Sequence, residues 1–304
     1  MDGGTPPCTA STTLSLMQRV FIGSESVTAG EVTKYQLRAH YQRVFPDVYA
    51  SCAEESPLSV EDLALAAFLW SRRRAVVTGV AASALHGAKW VDAQKTPIEL
   101  NYPNNKSPQG IVTRDEMLLD DEVQTLHGLP VTTLPRTVFD LARRGTMPEA
   151  VARLDALANA THFTKKDDVL DLLPRHRRLS GAPRVPKVLD LVDAGAQSPR
   201  ETWLRLLLID AGFPRPRTQI PVLGPGDCRP RYYLDMGWED MMIAVEYDGE
   251  HHRTSRDTYT NDITRSDYLH DLGWRMIRVV AGMRRSAIIE KTWRAWLLRQ
   301  NSAR

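Results

Sequence analysis

The sequence has few of the features that would place it in a membrane or in an oxidising compartment. No apolar run approaches the roughly 18 residues that cross a bilayer, and no signal-peptide pattern follows Met1. The three cysteines, Cys8, Cys52 and Cys228, are widely spaced and form no Cys-x-x-Cys pair. These absences argue against a disulfide framework and a cysteine-based zinc site. We therefore expect a soluble, cytoplasmic protein with no membrane partner and reduced thiols.

An excess of charge of one sign is also absent. The chain holds 39 Lys and Arg against 37 Asp and Glu, a formal net charge of +2, so only local patches could indicate a polyanionic partner. Its 304 residues suggest two or three domains. We predict a disordered tail over 1–12, a small module over 13–56, a middle region with a helical linker over 57–195, and a last domain over 196–304.

The most informative stretch runs from Arg231 to Arg265 and carries acidic residues on two apolar runs. Asp235 ends the first run, and Glu246 and Asp248 end the second. Because strand side chains alternate between faces, Glu246 and Asp248 point to the same side, and a hairpin brings Asp235 beside them. Three such carboxylates repel unless a cation lies among them, and oxygen ligands favour Mg²⁺ or Mn²⁺. Such a site can activate water for phosphodiester hydrolysis, whereas the plainer alternative is acidic residues that face solvent.

The residues around this stretch resemble a known family. The resemblance is to the very-short-patch-repair-endonuclease-like branch of the PD-(D/E)XK nuclease superfamily, and it rests on Asp235, Glu246-Tyr247-Asp248-Gly249, His252, Arg265 and Gly273-Trp274-Arg275-Met276-Ile277-Arg278. It covers about residue 198 to the C-terminus. It implies a restriction-endonuclease-like mixed sheet flanked by helices, in the order helix–strand–strand–strand–helix–strand–helix.

The resemblance also implies roles for individual residues. Asp235 and Glu246 would bind Mg²⁺, Asp248 would bind metal or orient water, and Arg265 would steady the scissile phosphate or a carboxylate. The superfamily's (D/E)-x-K motif has no lysine in this chain, because the third position is Asp248. The identity of the general base is therefore unassigned, with His252 as the first candidate and His251 as the second.

Glu201 has two competing interpretations. Ser198-Pro199-Arg200-Glu201 is a capping box with proline at the first helical position. The family resemblance instead makes Glu201 a direct or outer metal ligand from the first helix of the domain. The two compete because a capping glutamate folds back on its own backbone.

The first 50 residues favour a winged-helix-like DNA-binding module. Thr33 can cap a helix over 34–41, and residues 43–49 form a strand-turn. Lys34, Arg38, His40 and Arg43 would contact phosphates. A small helical bundle whose charges are merely solvated is the alternative.

A second, looser resemblance covers about residues 14–145. The segments Thr78–Gly87 and Thr132–Arg143 resemble actinobacterial proteins with an AbiEi-type antitoxin N-terminal region. This implies a DNA-binding winged helix followed by a mixed α/β middle region. His86, Asp115, His127 and Arg136 are polar candidates by type, but none stands at a ligand or triad spacing, so we assign no activity there.

Two local basic segments are typical of surfaces that bind a polyanion. Residues 175–187 hold five Arg or Lys and no acidic residue, and residues 275–304 hold eight basic residues against Glu290 alone. Both segments can also be explained as solvent-exposed charge on a helix or a linker.

The leading hypothesis is a mixed α/β, metal-dependent DNA endonuclease. The alternative is a non-catalytic DNA-binding regulator or antitoxin-like protein, with a toxin as partner; a homo-oligomer is left open.

Overall fold

The structure is a computed structural model that describes residues 19–51, 56–163, 166–224, 226, 228–248 and 256–302. The predicted tail over 1–12 and the two candidate bases His251 and His252 lie outside these ranges. The chain divides into two compact units, unit 1 up to His86 with Val91–Thr137, and unit 2 from Gly87–Trp90 and Val138 onward. The boundaries predicted at residues 56 and 195 fall inside unit 1 and unit 2, respectively.

Unit 1 begins with a strand–helix–helix–hairpin module. The elements are β1 (Val20–Ile22), α1 (Gly23–Thr28), α2 (Lys34–His40), β2 (Tyr41–Phe45) and β3 (Val48–Ser51), and the strands pair antiparallel in the order β1-β3-β2. Thr33 and Gln36 form a capping box that starts α2. The predicted cap and strand-turn are confirmed. The sheet makes this a winged-helix-like arrangement rather than a helical bundle.

The rest of unit 1 is a mixed five-stranded sheet with the strand order β6-β5-β4-β8-β7. Its elements are α3 (Val60–Trp70), β4 (Val76–Thr78), α4 (Gly79–Leu85), β5 (Ile98–Asn101), β6 (Ile111–Arg114), β7 (Val123–Leu126) and β8 (Leu129–Thr132). One hydrophobic core contains residues of both parts, such as Val20 and Phe45 with Ala67 and Leu100. This shared core explains why the first module is not a separate unit.

Two polar candidates of the middle region have structural partners. Arg136 forms a buried ion pair with Glu122, each with 1% of its side chain exposed. His86 ends α4, and its Nε2 donates to the Thr132 carbonyl at 2.9 Å. Burial lowers the pKa of His86, so the neutral ring is favoured. These contacts account for both residues without a reaction.

Unit 2 starts with helices and ends with a sheet. The helices are α5 (Leu134–Arg143), which begins in unit 1, then α6 (Met147–Thr161), α7 (Lys166–Leu170), α8 (Leu172–His176) and α9 (Val185–Leu191). Asp155 on α6 accepts hydrogen bonds from Thr202 Oγ1 and Arg205 Nη2, both at 2.7 Å. Both partners lie on the first helix of the predicted last domain. The helical linker is therefore joined to that domain by buried polar contacts as well as by packing.

The last domain follows the predicted order of elements. These are α10 (Pro199–Asp210), β9 (Arg217–Val222), β10 (Tyr232–Trp238), β11 (Ile243–Asp248), α11 (Arg256–Asp271), β12 (Arg275–Val280) and α12 (Arg285–Ser302). The sheet order is β12-β11-β10-β9, with β11 antiparallel to β10 and parallel to β12. Hydrophobic clusters cover the sheet, one around Leu204, Val245 and Ile288 and the other around Leu234 and Leu269. The predicted mixed α/β class is confirmed.

Within the described ranges, the structure contains no helix with the length and apolar character needed to cross a bilayer.

Candidate active site

Strands β10 and β11 place the predicted acidic residues side by side. Met236 pairs with Val245 and Gly237 with Ala244, so Asp235 lies next to the end of β11. Its Oδ2 accepts a hydrogen bond from the Tyr247 amide at 3.0 Å. Asp235 lies inside β10, three residues before the strand ends at Trp238. The predicted hairpin is confirmed.

Gly237 permits this register. A Cβ atom at position 237 would lie 2.2 Å from the carbonyl oxygen of Ile243 on the facing strand. Real Cβ atoms do not approach backbone oxygen so closely, so any other residue would push β10 away from β11. The position of Asp235 relative to Tyr247 therefore depends on the absence of a side chain two residues away.

The acidic residues line one pocket of about 310 Å³. Its walls hold four carboxylates and two guanidinium groups, together with one tyrosine: Asp235, Glu246, Asp248, Asp262, Arg265, Arg278 and Tyr247. Four of the five predicted catalytic residues thus lie together. The fifth, His252, is outside the described residues. The excess of carboxylates gives the pocket a negative balance that suits a cation.

Burial shifts the pKa of both central carboxylates, Asp235 and Glu246, above their usual values. It raises the pKa of Asp235, against the opposing effects of the Tyr247 amide and the Arg265 charge. Burial also raises the pKa of Glu246; the Arg265 charge opposes this, and the neighbouring Asp235 adds to it. The pocket therefore disfavours two bare negative charges, and added positive charge would stabilise the ionised forms.

Arg265 contacts a carboxylate, which is one of the two roles predicted for it. Its Nη2 lies 2.5 Å from Glu246 Oε1 and also donates to the Tyr233 carbonyl at 3.0 Å. The guanidinium carbon lies 5.7 Å from the centre of the Tyr232 ring. Helix α11 and strand β10 thus hold Arg265 against Glu246.

Ser198 caps helix α10, because its Oγ accepts a hydrogen bond from the Glu201 amide at 3.2 Å, and the Glu201 side chain folds back over this cap. The two carboxylate oxygens of Glu201 accept from Ser198 Oγ and from the Gln197 amide, both at 2.9 Å. Burial raises its pKa, and the charge of Asp235 raises it further, so the two carboxylates interact electrostatically. The Ser198 half of the predicted capping box is confirmed, but the Glu201 carboxylate accepts from the Gln197 amide in place of the Ser198 amide. A metal-ligand role for Glu201 stays a prediction.

The donor chemistry of the pocket fits a hard divalent cation, since its side-chain ligands are oxygen atoms with net negative charge. The present arrangement is not a closed ligand shell. No group of three or more His, Cys, Asp or Glu among the described residues is close enough to hold a metal ion. Glu246 contacts Arg265, and Asp235 accepts from the Tyr247 amide. The metal site stays a prediction.

Three cations contact a residue that lines the pocket or lie one helical turn from such a contact, and two of them, Arg285 and Lys291, belong to the basic segment 275–304. Arg200, noted only within a capping box, lies 6.0 Å over the ring of Tyr247, which lines the pocket. Arg285 lies 5.9 Å over the Trp203 ring, one turn further along α10. Lys291 donates to the carbonyl of Arg278, another lining residue, at 3.5 Å. We call Arg200, Arg285 and Lys291 the rim cations.

Other basic residues have different positions. Arg275 and Arg299 line a separate pocket of about 560 Å³, and Arg294 pairs with Glu290 at 3.0 Å. In the segment 175–187, Arg184 donates to several backbone carbonyls, including those of Ala142 and Gly145. The basic residues of the segment 275–304 therefore do not form one uniform surface, and Arg184 of the segment 175–187 stabilises the fold.

Comparison with known proteins gives relatives but no activity. No family model matches the chain. The chain is 28% identical over 239 residues to uncharacterized protein Rv2248 of Mycobacterium tuberculosis strain H37Rv and, with the same values, to uncharacterized protein MT2308 of strain CDC 1551 / Oshkosh. The similarity covers 78% of this chain and 84% of each relative. Because the aligned length exceeds the size of either unit, it includes parts of both.

Proposed function

We propose that unit 2 is a Mg²⁺- or Mn²⁺-dependent endonuclease that hydrolyses phosphodiester bonds in DNA, in repair or defence. The observation that supports this most directly is the pocket in which Asp235, Glu246 and Asp248 meet two arginines. A buried acidic pocket with perturbed carboxylates is typical of a catalytic site. The absence of a membrane-crossing helix among the described residues is compatible with action on DNA in the cytoplasm.

In this proposal Asp235, Glu246 and Asp248 hold the divalent cation. When bound, such an ion activates water and offsets the negative charge of the phosphate. Arg265 is a positioning residue that fixes the Glu246 carboxylate through its hydrogen bonds to Glu246 and the Tyr233 carbonyl. His252 remains the proposed general base, with His251 as second candidate.

The proposal is tested with the full-length chain. Purified protein is incubated with plasmid, mismatched duplex and single-stranded DNA in Mg²⁺, Mn²⁺ or EDTA. We expect nicking or cutting of at least one substrate with metal and none in EDTA. Failure to cleave any of them in either metal contradicts the proposal.

The rim cations should contribute to DNA binding through phosphate contacts. Each contact with a phosphate releases about one counterion, so Arg200→Ala, Arg285→Ala and Lys291→Ala should each reduce the slope of log K against log salt by about 1. Fluorescence anisotropy of a labelled duplex in EDTA, at several salt concentrations, measures this slope. Binding should weaken similarly for unrelated sequences, since phosphates carry no base identity.

Arg294→Ala is the matched control for the rim cations. Arg294 is an exposed arginine on α12, the helix that carries Arg285 and Lys291, but it pairs with Glu290 and does not line the pocket. Its replacement should leave the salt slope unchanged. If the slope of log K against log salt is the same for all four variants and the wild type, the rim cations do not contact DNA.

A second function is favoured by unit 1. Helix α2 buries only Leu37 and exposes Lys34, Tyr35, Arg38 and His40. An exposed, basic second helix before a hairpin suits the major groove of DNA. The alternative proposal is therefore a non-catalytic DNA-binding transcriptional regulator or antitoxin-like protein, with a toxin or a second copy of the chain as partner.

The two functions give different gel-shift results. A regulator retards one upstream sequence without cutting it, and Arg38→Ala weakens that binding. A nuclease cleaves in Mg²⁺ whether or not Arg38 is replaced, provided that the substrate is in excess. Sequence-specific retardation with no cleavage would favour the regulator.

A further inference from the structure

Arg278 differs from Arg265, the other arginine of the acidic pocket, because its guanidinium is not paired with any side chain or carbonyl that the structure describes. It lies on β12, directly paired with Glu246 on the parallel strand β11. Its side chain is exposed and lines the pocket. Its guanidinium makes no hydrogen bond or ion pair with any residue in the described ranges, although its charge helps to lower the pKa of Glu246.

The guanidinium of Arg265 is already engaged and is poorly placed to bind an incoming anion. Its Nη2 is engaged by Glu246 and the Tyr233 carbonyl, its Nη1 lies 3.4 Å from Glu246 Oε2, and the group packs over the Tyr232 ring. Withdrawing it would leave a mostly buried glutamate without its counter-charge, which is costly. Of the two guanidinium groups in the pocket, Arg278 is the one whose donors are available.

We infer that Arg278 binds the phosphate of the DNA substrate, donating to the non-bridging oxygens of the phosphodiester that is cut. The inference rests on the proposed nuclease function. A phosphodiester anion that enters a pocket with four carboxylates is repelled unless a cation meets it. A guanidinium presents paired donors that match two phosphate oxygens.

The same contact stabilises the transition state. In hydrolysis the water oxygen forms a bond to phosphorus, the bond to the leaving oxygen breaks, and the proton of the attacking water is passed to a base. Negative charge shifts onto the phosphoryl and leaving oxygens during this step, so a fixed cation there lowers the barrier. Arg278 thus supplies, from the neighbouring strand, a positive charge that the Glu246-Tyr247-Asp248 segment lacks.

The test compares Arg278 variants in metal-dependent cleavage. Arg278→Ala should lower kcat/KM by about 100-fold. Arg278→Lys should lose less, about tenfold, because it keeps the charge without the paired donors. Millimolar guanidinium ion should raise the rate of Arg278→Ala and leave the wild type unchanged, which a merely structural role would not produce. Melting temperatures should match the wild type, because the side chain is exposed.

Arg275→Ala is the matched control. Arg275 is an exposed arginine on the same strand, but it lines the separate pocket near Trp274 and Arg299. Its replacement should leave kcat/KM within about threefold of the wild type. If Arg278→Ala cleaves as fast as the wild type, the inference is overturned and the nuclease proposal stands. If the wild type cleaves no DNA in either metal, both fall.

Discussion

Asp235→Asn and Glu246→Gln are each expected to lower the rate of metal-dependent DNA cleavage by about a thousandfold. The amide side chains keep the shape of the pocket but remove a charged oxygen ligand for the cation. In Asp235→Asn the side-chain oxygen still accepts the Tyr247 amide, so the hairpin is retained. DNA binding in EDTA should be unchanged or tighter, because one negative charge is removed from the pocket.

Single-turnover cleavage in Mg²⁺ and anisotropy in EDTA measure the two effects separately. Asp240→Asn is the matched control, since Asp240 is an exposed acid in the connection between β10 and β11 and does not line the pocket. It should cleave at the wild-type rate. An Asp235→Ala variant that cuts DNA as fast as the wild type would show that the pocket does not perform the reaction.

Asp155→Leu should destabilise unit 2 by about 3–5 kcal/mol, the cost of leaving one member of a buried ion pair alone. Arg205 has 0% and Asp155 has 1% of its side chain exposed. Without Asp155, the arginine keeps its charge because it cannot lose its proton. Arg205→Met should cost less, because the remaining Asp155 can take up a proton and also keeps its contacts with Thr202 and the Asp193 amide.

Urea unfolding gives the free energies, and the double variant completes the cycle. Asp155→Leu with Arg205→Met should recover much of the loss, since two apolar side chains need no counter-charge. The control is the exposed pair Arg215–Asp190, which is 2.9 Å apart against 2.7 Å for the buried pair but should contribute less than about 1 kcal/mol. A cost for Asp155→Leu no larger than that of this pair would mean that the buried contact does not stabilise the unit.

The local parts of the site could be predicted from the sequence. Alternation along a strand sufficed to place Glu246 and Asp248 on one side, and the hairpin placed Asp235 nearby. The capping box at Ser198 was visible in four consecutive residues. These features depend on spacing along a single element or on the pairing of adjacent ones.

What could not be predicted depends on contacts between distant elements. The stack of Arg200 on Tyr247 requires the packing of α10 on the sheet, which no short pattern encodes. The pair Asp155–Arg205 joins residues 50 positions apart. For the same reason the domain boundary predicted at residue 195 does not separate two compact units, because buried side chains such as Asp155 and Thr202 contact each other across it.

The parallel pairing of β11 and β12 has a consequence for the protein during its synthesis. Helix α11 separates the two strands, so a nascent chain that has reached only α11 exposes the open edge of β11, with no partner for its backbone groups. The Arg278 side of the acidic pocket then does not yet exist. If the pocket cuts DNA, the chain acquires its full cutting activity only after β12 has been translated and has paired with β11.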